Sequence, residues 1–153
     1  MQVEGSYTFL APRQRVWDAL MEPQTLRHCL PGCDELQPQG NGRYRVVMRV
    51  GVAAVKGTFQ GTVEVKAPQA FERYSLALDA RSAIGFARGE GRFELQEQGE
   101  QTILSYTGEV HLGGTIAAVG QRLVGSAARM VIDQFFGCVA RRLTDTGSST
   151  ESS

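Results

Sequence analysis

The sequence lacks any window in which Lys and Arg residues cluster. Sixteen basic and sixteen acidic residues balance to a formal net charge of zero, whereas a nucleic-acid backbone is bound by concentrated positive charge. We therefore expect no nucleic-acid partner. The chain of 153 residues, of which 42% are hydrophobic, is long enough for one domain with its own core.

Long apolar runs are also missing. The first ten residues, MQVEGSYTFL, contain no basic stretch followed by an unbroken apolar run, as a signal peptide would. No segment approaches the roughly 20 apolar residues that a membrane-spanning helix needs. These absences favour a cytoplasmic protein.

Cysteine is scarce, and an odd number argues against a disulfide framework. The three cysteines instead agree with a reducing compartment. Two of them lie with His28 in the stretch RHCLPGCDEL, residues 27–36. His28 and Cys29 are adjacent, so on a helix they point about 100° apart, and no second cysteine pair follows. We expect neither a metal site nor a thioredoxin-like redox pair there.

The remaining pattern predicts a single α+β domain. An alternating strand, VEGSYTFL, precedes two short helices, PRQRVWDALM and PQTLRHCL. Turn signals then separate five antiparallel strands, RYRVVMRV, GTFQGTVEV, RYSLALDA, GRFELQEQ and TILSYTGEVHL. A long amphipathic helix is predicted from residue 115 to 143, and residues 144–153, TDTGSSTESS, contain no apolar residue and are predicted to be a disordered tail.

Strand parity predicts which side chains point toward the long helix, the only element large enough to cover the sheet. They are Tyr44, Val46, Met48, Val50, Phe59, Val63, Tyr74, Leu76, Leu78, Phe93, Leu95, Leu104, Tyr106, Val110 and Leu112. Glycines repeat on the same parity, at Gly57, Gly61, Gly89, Gly91 and Gly108. Strand glycines mark either tight coiling or the close approach of a ligand, and the sequence leaves both uses open.

The chain resembles the carbon monoxide dehydrogenase G-subunit family, within the START-related helix-grip (SRPBCC-type) superfamily. The resemblance rests on VWDAL at 16–20, CLPGCDEL at 29–36, GTFQGTVEV at 57–65, GFARGEGRFEL at 85–95 and LGGTIAAVGQRLVGSAARMVIDQFF at 112–136. It implies a helix-grip fold: a strongly curved antiparallel sheet of about six to seven strands, wrapped around the C-terminal helix and an apolar cavity. Residues 1–143 would form this domain.

The resemblance also implies a non-catalytic accessory protein. Family members are linked to bringing a molybdenum hydroxylase to the membrane, with a lipid or a quinone in the cavity. The expected partners are therefore a hydrophobic small molecule, the hydroxylase itself and, transiently, the inner face of the membrane, with no covalently bound cofactor. The tail at 144–153 has no apolar or basic anchor, which argues against stable docking to a membrane.

Cavity-lining residues follow from strand parity, helix periodicity and the resemblance together. We expect the cavity to be lined by Trp17, Leu26, Leu30, Val46, Met48, Phe59, Gly61, Leu76, Leu78, Phe86, Gly91, Phe93, Tyr106, Leu112, Ile116, Gly120, Leu123 and Ala127. Pro31 and Gly32 break the second helix. We interpret Cys29, Pro31, Gly32 and Cys33 as a loop at the mouth of the cavity.

Two other functions stay open at this point. One is a cyclase- or hydratase-like enzyme of the same superfamily, for which the inward-pointing tyrosines Tyr44, Tyr74 and Tyr106 would be the acid or base. The other is a docking or maturation factor without a ligand. Its contact would be the arginines on the outer face of the sheet: Arg43, Arg45, Arg49, Arg81, Arg88 and Arg92.

Overall fold

The computed structural model describes the backbone of residues 1–52 and 55–152 and the side chains of residues 1–51 and 55–144. The elements follow the predicted order, with one additional strand and a break near the start of the long helix. They are β1 (Gln2–Phe9), α1 (Arg13–Met21), α2 (Pro23–Cys29), β2 (Cys33–Gly40), β3 (Arg43–Val52), β4 (Val55–Gln69), β5 (Arg73–Ser82), β6 (Gly85–Gln98), β7 (Gln101–Gly113), α3 (Thr115–Ala118) and α4 (Gln121–Ser152).

The seven strands form one antiparallel sheet in the order β1-β7-β6-β5-β4-β3-β2, which confirms the predicted fold class. The sequence predicts six of them and interprets the start of β2 as part of a loop. Strand β2 has few β-branched or aromatic residues and contains Pro38, which is tolerated because β2 lies at the edge of the sheet. Cys33 therefore begins an edge strand.

The register of the sheet confirms the predicted inner face. Met48 pairs with Phe59, and Phe93 pairs with both Tyr74 and Tyr106. Because directly paired residues lie on the same side of a sheet, all fifteen predicted side chains point to one face. The same pairing places Gly61 opposite Val46 and Gly91 opposite Leu76 on that face.

The predicted long helix is interrupted near its start. Gly120 adopts a φ of 102°, a conformation that glycine tolerates and other residues rarely adopt, and it separates α3 from α4. The single helix predicted from residue 115 is therefore wrong in this respect. Helix α4 continues to Ser152, through residues predicted as a disordered tail; extending a formed helix costs little per residue. The domain boundary at residue 143 stays a prediction.

Helix α4 is more apolar than the sequence analysis allowed. An 18-residue window of its segment Gln121–Thr144 has a mean hydropathy of 1.3, and the segment is long and apolar enough to span a membrane, contrary to the expectation that no segment would be. A buried core helix of a folded domain meets the same criterion, although only 22% of this window is buried. Here the segment packs on the sheet through Val124, Phe136 and Val139.

Most of the buried apolar side chains form one large cluster, which we call the major core. Its centre on α4 is Phe136, which is 1% exposed and lies 5.7–6.5 Å, between ring centroids, from Tyr7, Phe9, Phe93 and Tyr106. The other buried members are Val3, Ala11, Val16, Trp17, Leu20, Cys29, Tyr74, Leu95, Leu104, Val139 and Leu143. This cluster joins β1, α1, α2 and the C-terminal half of α4.

A second, smaller cluster covers the other end of the sheet, and we call it the minor core. It consists of Val55, Ile116, Val124 and Ala127, with Phe59, Ile84 and Leu112 packed at its side. Along α4, Ala127 and Phe136 are nine residues apart, which is about 14 Å at the rise of an α-helix. Between them on α4, Ala128, Ile132 and Phe135 pack against the major core, whereas Leu78 on the inner face of the sheet stays 39% exposed.

Helices α2 and α4 are joined by a disulfide bond between Cys29 and Cys138. The odd number of cysteines predicts no disulfide, and Cys29 was predicted to lie in a loop at the cavity mouth. Both expectations are wrong: Cys29 is the last residue of α2 and is buried in the major core. The partners are 109 residues apart, so only the tertiary packing of α2 on α4 brings them together.

Candidate functional site

Between the two cores the inner face of the sheet is only partly covered, and we call this region the trough. Its floor consists of inward-pointing residues that belong to neither core and are not fully buried: Met48, Gly61, Val63, Leu78, Ala80, Ala87 and Gly89. Val46, on the same face, is 6% exposed and is therefore already covered. Leu78 points toward α4, yet it is 39% exposed. An apolar side chain in that position is expected to be covered, so the trough has room for an apolar guest.

Stacked aromatic rings close the end of the trough next to the major core. Tyr74, Phe93 and Tyr106 lie side by side on β5, β6 and β7. The rings of Tyr74 and Phe93 are 4.9 Å apart and nearly parallel, and those of Phe93 and Tyr106 are 6.0 Å apart. Such a row gives a flat, apolar wall that is fixed by packing.

The glycines of the inner face serve different purposes, which the sequence could not separate. A Cβ at Gly61 would collide with the backbone of Asp79, so this glycine permits close approach of two strands. A Cβ at Gly91 would lie 3.3 Å from the ring of Phe93, and one at Gly5 would lie 2.5 Å from the hydroxyl of Tyr106. These two glycines therefore accommodate aromatic rings.

Gly108 is the inner-face glycine best suited to probe the space. A Cβ there would have its nearest neighbours at 3.4 Å and 3.6 Å, the carbonyl oxygen of Glu90 and the Cα of Gly91. These are ordinary van der Waals distances, and Gly108 has no positive φ. A side chain can therefore be added at this position without forcing the backbone apart.

One small cavity of about 210 Å³ lies between α4 and the edge of the sheet, and we call it the portal. It is lined by Pro31, Arg49, Val50, Gly51, Val131 and Gln134. Val131 lies on the same helical face as Val124 and Phe135, which is the face that α4 turns to the sheet. The portal therefore lies beside the trough, and Pro31 lines it; the role of residues 29–33 as a cavity mouth stays a prediction.

The portal side of the trough carries a fixed turn and a free thiol. Gly32 has a φ of 67°, and its carbonyl accepts a hydrogen bond of 2.8 Å from the backbone N–H of Arg49, which holds the turn on β3. Cys33 pairs with Met48 across the strands, and its Sγ donates to the carbonyl of Glu35 at 3.3 Å. Burial raises the pKa of the Cys33 thiol, while the nearby Arg27 opposes the shift.

The tyrosines beside the trough are not suited to act as bases. Burial raises the pKa of Tyr74 far above its usual value of 10. Burial also raises the pKa of Tyr106, with the negative charge of Asp133 adding to the effect and Arg129 opposing it. Both hydroxyls therefore stay protonated at neutral pH. In that state they can donate a hydrogen bond to a guest, but they cannot act as a base that removes its proton.

The predicted cavity residues fall into several groups. Val46, Met48, Phe59, Gly61, Leu76, Leu78, Gly91, Phe93, Tyr106 and Leu112 share the inner face of the sheet. Ile116 and Ala127 are buried in the minor core, Trp17 packs on Tyr74 and Phe71 in the major core, and Leu26 and Leu30 are half-buried at α2. Their contacts with a ligand stay a prediction.

Phe86 lies outside the predicted cavity, and contact of Leu123 and Gly120 with a ligand stays a prediction. Phe86 pairs with Arg81 and Gly113 on the outer face, where its ring covers Gly113 and lies 5.3 Å from the guanidinium of Arg88. Leu123 is 54% exposed in the first turn of α4, beside the buried Val124. Gly120 forms the break between α3 and α4.

Most of the portal was not predicted from the sequence. Val131 and Gln134 were predicted only as part of the long helix, Arg49 only as an outer-face arginine, and Gly51 was not singled out. No local pattern marks these residues, because the portal arises where α4 crosses the end of β3. Among the residues the structure describes, no group of three or more His, Cys, Asp and Glu side chains could hold a metal ion.

An α+β domain whose antiparallel sheet holds a C-terminal helix over an apolar trough defines the helix-grip class. A family model for the G subunit of carbon monoxide dehydrogenase (CoxG) matches residues 5–144, which is most of the chain. The chain belongs to this CoxG family. No curated protein matches the sequence.

Solved structures agree with this assignment. A conserved protein from Geobacillus kaustophilus is 31% identical, with a TM-score of 0.92 over 95% of this chain and 97% of that one. A START superfamily protein from Mycobacterium smegmatis is similar at a TM-score of 0.76, with 12% identity over 95% and 98% of the chains. The Zhui aromatase/cyclase from Streptomyces sp. R1128 has a TM-score of 0.70, with 16% identity over 94% and 93%. The last two likenesses show the fold alone.

Proposed function

We propose that this protein binds a hydrophobic small molecule, a lipid or a quinone, in the trough and carries it without transforming it. In this proposal it is an accessory protein of a carbon monoxide dehydrogenase-like molybdenum hydroxylase. It is cytoplasmic and contacts the membrane transiently, so that it links the hydroxylase to the membrane or its quinone pool. The guest is held by burial and by no covalent bond.

The observation that carries the proposal is the incomplete covering of the inner face. Leu78 and Met48 point at α4, yet the two cores close only the ends of the space above them. Burying apolar surface contributes about 25 cal/mol per Å², so an apolar guest that covers this floor gains free energy with no specific polar contact. Membership of an accessory-subunit family supports the non-catalytic part of the proposal.

The enzyme alternative has less support. Tyr74 and Tyr106, whose pKa values are raised, keep their protons and cannot act as bases, which leaves them only the role of proton donor. The aromatase/cyclase similarity, at 16% identity, concerns the fold. A carrier needs only the apolar floor and an opening, and both are present.

A matched pair of variants on β7 tests the proposal. Gly108→Leu places an apolar side chain on the inner face, whereas Thr107→Leu places the same side chain on the exposed outer face one residue away. We expect Gly108→Leu to weaken binding of the fluorescent probe N-phenyl-1-naphthylamine about tenfold or more, a change of about 1.4 kcal/mol. Thr107→Leu should bind like the wild type. Equal affinity of all three folded proteins would contradict the proposed site.

A further inference from the structure

Helix α4 is more apolar than its burial requires. An 18-residue window of Gln121–Thr144 has a mean hydropathy of 1.3, yet only 22% of this window is buried. Val124 and Phe136, on the inward side, pack in the two cores. On the outward side, Leu123 is 54% exposed and Met130 is 48% exposed. Single apolar side chains are common on protein surfaces, so the arrangement of their neighbours decides what this side of α4 does.

Six exposed side chains of α4 form a stripe along its outward side, which we call the outer stripe: Arg122, Leu123, Arg129, Met130, Asp133 and Arg141. Residues seven apart lie almost above one another on a helix, because two turns take about 7.2 residues. Leu123 and Met130 therefore form one line, the apolar line, and Arg122 and Arg129 form a second line beside it. The helix thus brings together arginines that are scattered in the sequence.

The outer stripe is positively charged, although the chain as a whole is neutral. Residues 121–144 contain four arginines and one acidic residue, so four minus one gives this segment a net charge of +3, in a chain whose formal net charge is zero. Basic side chains beside exposed apolar ones are typical of a helix that lies on a membrane surface. The charge is complementary to the anionic lipids of such a surface.

The apolar line lies on the portal side of the outer stripe. Gln134 lines the portal and follows Met130 by four residues, about one turn of α4. The line of arginines lies on the other side. A Cβ at Gly125, one turn before Arg129, would lie 4.0 Å from the sulfur of Met1, so this side of α4 faces the N-terminus and not the portal. The exposed apolar side chains are therefore continuous with the edge of the portal.

We infer that the outer stripe is the surface through which this protein rests on an anionic lipid bilayer. Leu123 and Met130 enter the headgroup region, and the three arginines of the stripe contact lipid phosphates. In this orientation the portal lies next to the lipid, so a guest that passes through it does not cross bulk water. The inference rests on the proposed carrier function and names the surface of its membrane contact. It requires no movement of α4 on the sheet.

The contact is expected to be weak and reversible. Only two large apolar side chains enter the lipid, and Asp133 within the stripe repels anionic headgroups, whereas stable anchoring needs a wide apolar face or a lipid chain. Attraction between exposed charges is screened beyond about 8 Å at physiological ionic strength. Binding should therefore weaken steeply with added salt, which suits a protein that contacts the membrane transiently.

Co-sedimentation with vesicles tests the charged part of the surface. We expect the wild type to bind vesicles containing about 30% phosphatidylglycerol about tenfold more tightly than vesicles of phosphatidylcholine alone. Arg129→Glu should weaken binding to the anionic vesicles about tenfold. Arg92→Glu makes the same charge change on the outer face of the sheet and should change it less than about twofold. Equal losses in the two variants, or no binding by the wild type, would overturn the inference.

A tryptophan reporter tests the apolar line. Leu123→Trp places an indole in the outer stripe, and the control Leu10→Trp places one at a site that is 80% exposed at the end of β1. Trp17, the single tryptophan of the chain, is buried and gives the background signal in the wild type. With anionic vesicles that contain brominated phosphatidylcholine, we expect the added signal of Leu123→Trp to be quenched by about half and that of Leu10→Trp to be unchanged. Equal quenching would overturn the inference.

The results separate this surface from the carrier function. A wild type that binds N-phenyl-1-naphthylamine but no vesicles refutes the surface and leaves the carrier function standing. A wild type that binds vesicles through the outer stripe but takes up no probe supports the surface and contradicts the carrier function. A dimer in size-exclusion chromatography that Met130→Gln abolishes would mean that a second copy covers the stripe, and it would overturn the inference.

Discussion

The two cores differ in composition as well as in size. The major core contains most of the aromatic rings, fills its end of the sheet and includes a covalent link. The minor core has four buried residues, all aliphatic, and is covered by the short helix α3 between two breaks at Gly114 and Gly120. The comparison indicates that one end of the domain supplies stability, while the other leaves the floor of the trough accessible.

The largest effect is expected from truncating the centre of the major core. Phe136→Ala removes a ring that touches four other aromatic rings, and it should lower the free energy of unfolding by about 3–5 kcal/mol. Urea denaturation followed by circular dichroism measures this change. A loss below about 1 kcal/mol would mean that the major core does not hold the domain together.

A truncation in the minor core should cost less. Val124→Ala removes two methyl groups from a buried position next to Ile116, and we expect a loss of about 1–2 kcal/mol in the same denaturation experiment. If Val124→Ala destabilised the protein as much as Phe136→Ala, the two ends would contribute equally, and the distinction between them would be wrong.

Alkaline pH should affect the major core through Tyr74. The raised pKa means that the hydroxyl keeps its proton in the folded state while it ionises above pH 10 in the unfolded chain. Its contribution is therefore fully present below pH 10 and is lost as the pH rises. Above about pH 10, the wild type should lose about 1.4 kcal/mol per pH unit more than Tyr74→Phe. Urea denaturation at several pH values between 9 and 11 measures this difference. If the free energies of unfolding of the wild type and of Tyr74→Phe changed equally with pH, Tyr74 would not be buried as described.

The smallest effect is expected on the outer face. Phe86 is 37% exposed there, so Phe86→Ala should cost less than about 1 kcal/mol and leave the affinity for N-phenyl-1-naphthylamine unchanged. Fluorescence titration provides the second reading. If a folded Phe86→Ala protein bound the probe more weakly, Phe86 would line the ligand site, which would contradict the register of β6.

The sequence was sufficient to predict most of the sheet and its inner face, because successive side chains along a strand point to opposite faces. The same rule places Phe86 on the outer face of the sheet, since it is an odd number of residues, seven, from the inward-pointing Phe93. Phe86 was included in the predicted cavity although strand parity did not support it. Strand β2 escaped prediction because its edge position relaxes the demand for β-branched residues and allows Pro38.

The rest of the site depends on contacts between distant parts of the chain. The Cys29–Cys138 pair and the portal both arise where α4 meets α2 and β3, and neither leaves a local pattern in the sequence. The start of α4 was also hidden, because only the positive φ of Gly120 shows that the helix predicted from residue 115 is broken there. Glycines such as Gly61 and Gly108 look alike in the sequence, and only their neighbours separate a backbone contact from an open position.

The most direct test of the account is native mass spectrometry of protein purified without detergent, followed by organic extraction and identification of the released molecules. The account predicts a lipid or quinone bound at about one molecule per chain by the wild type and depleted in Gly108→Leu, but not in Thr107→Leu. A folded wild-type protein that carries no such molecule and takes up no added quinone would contradict the carrier function.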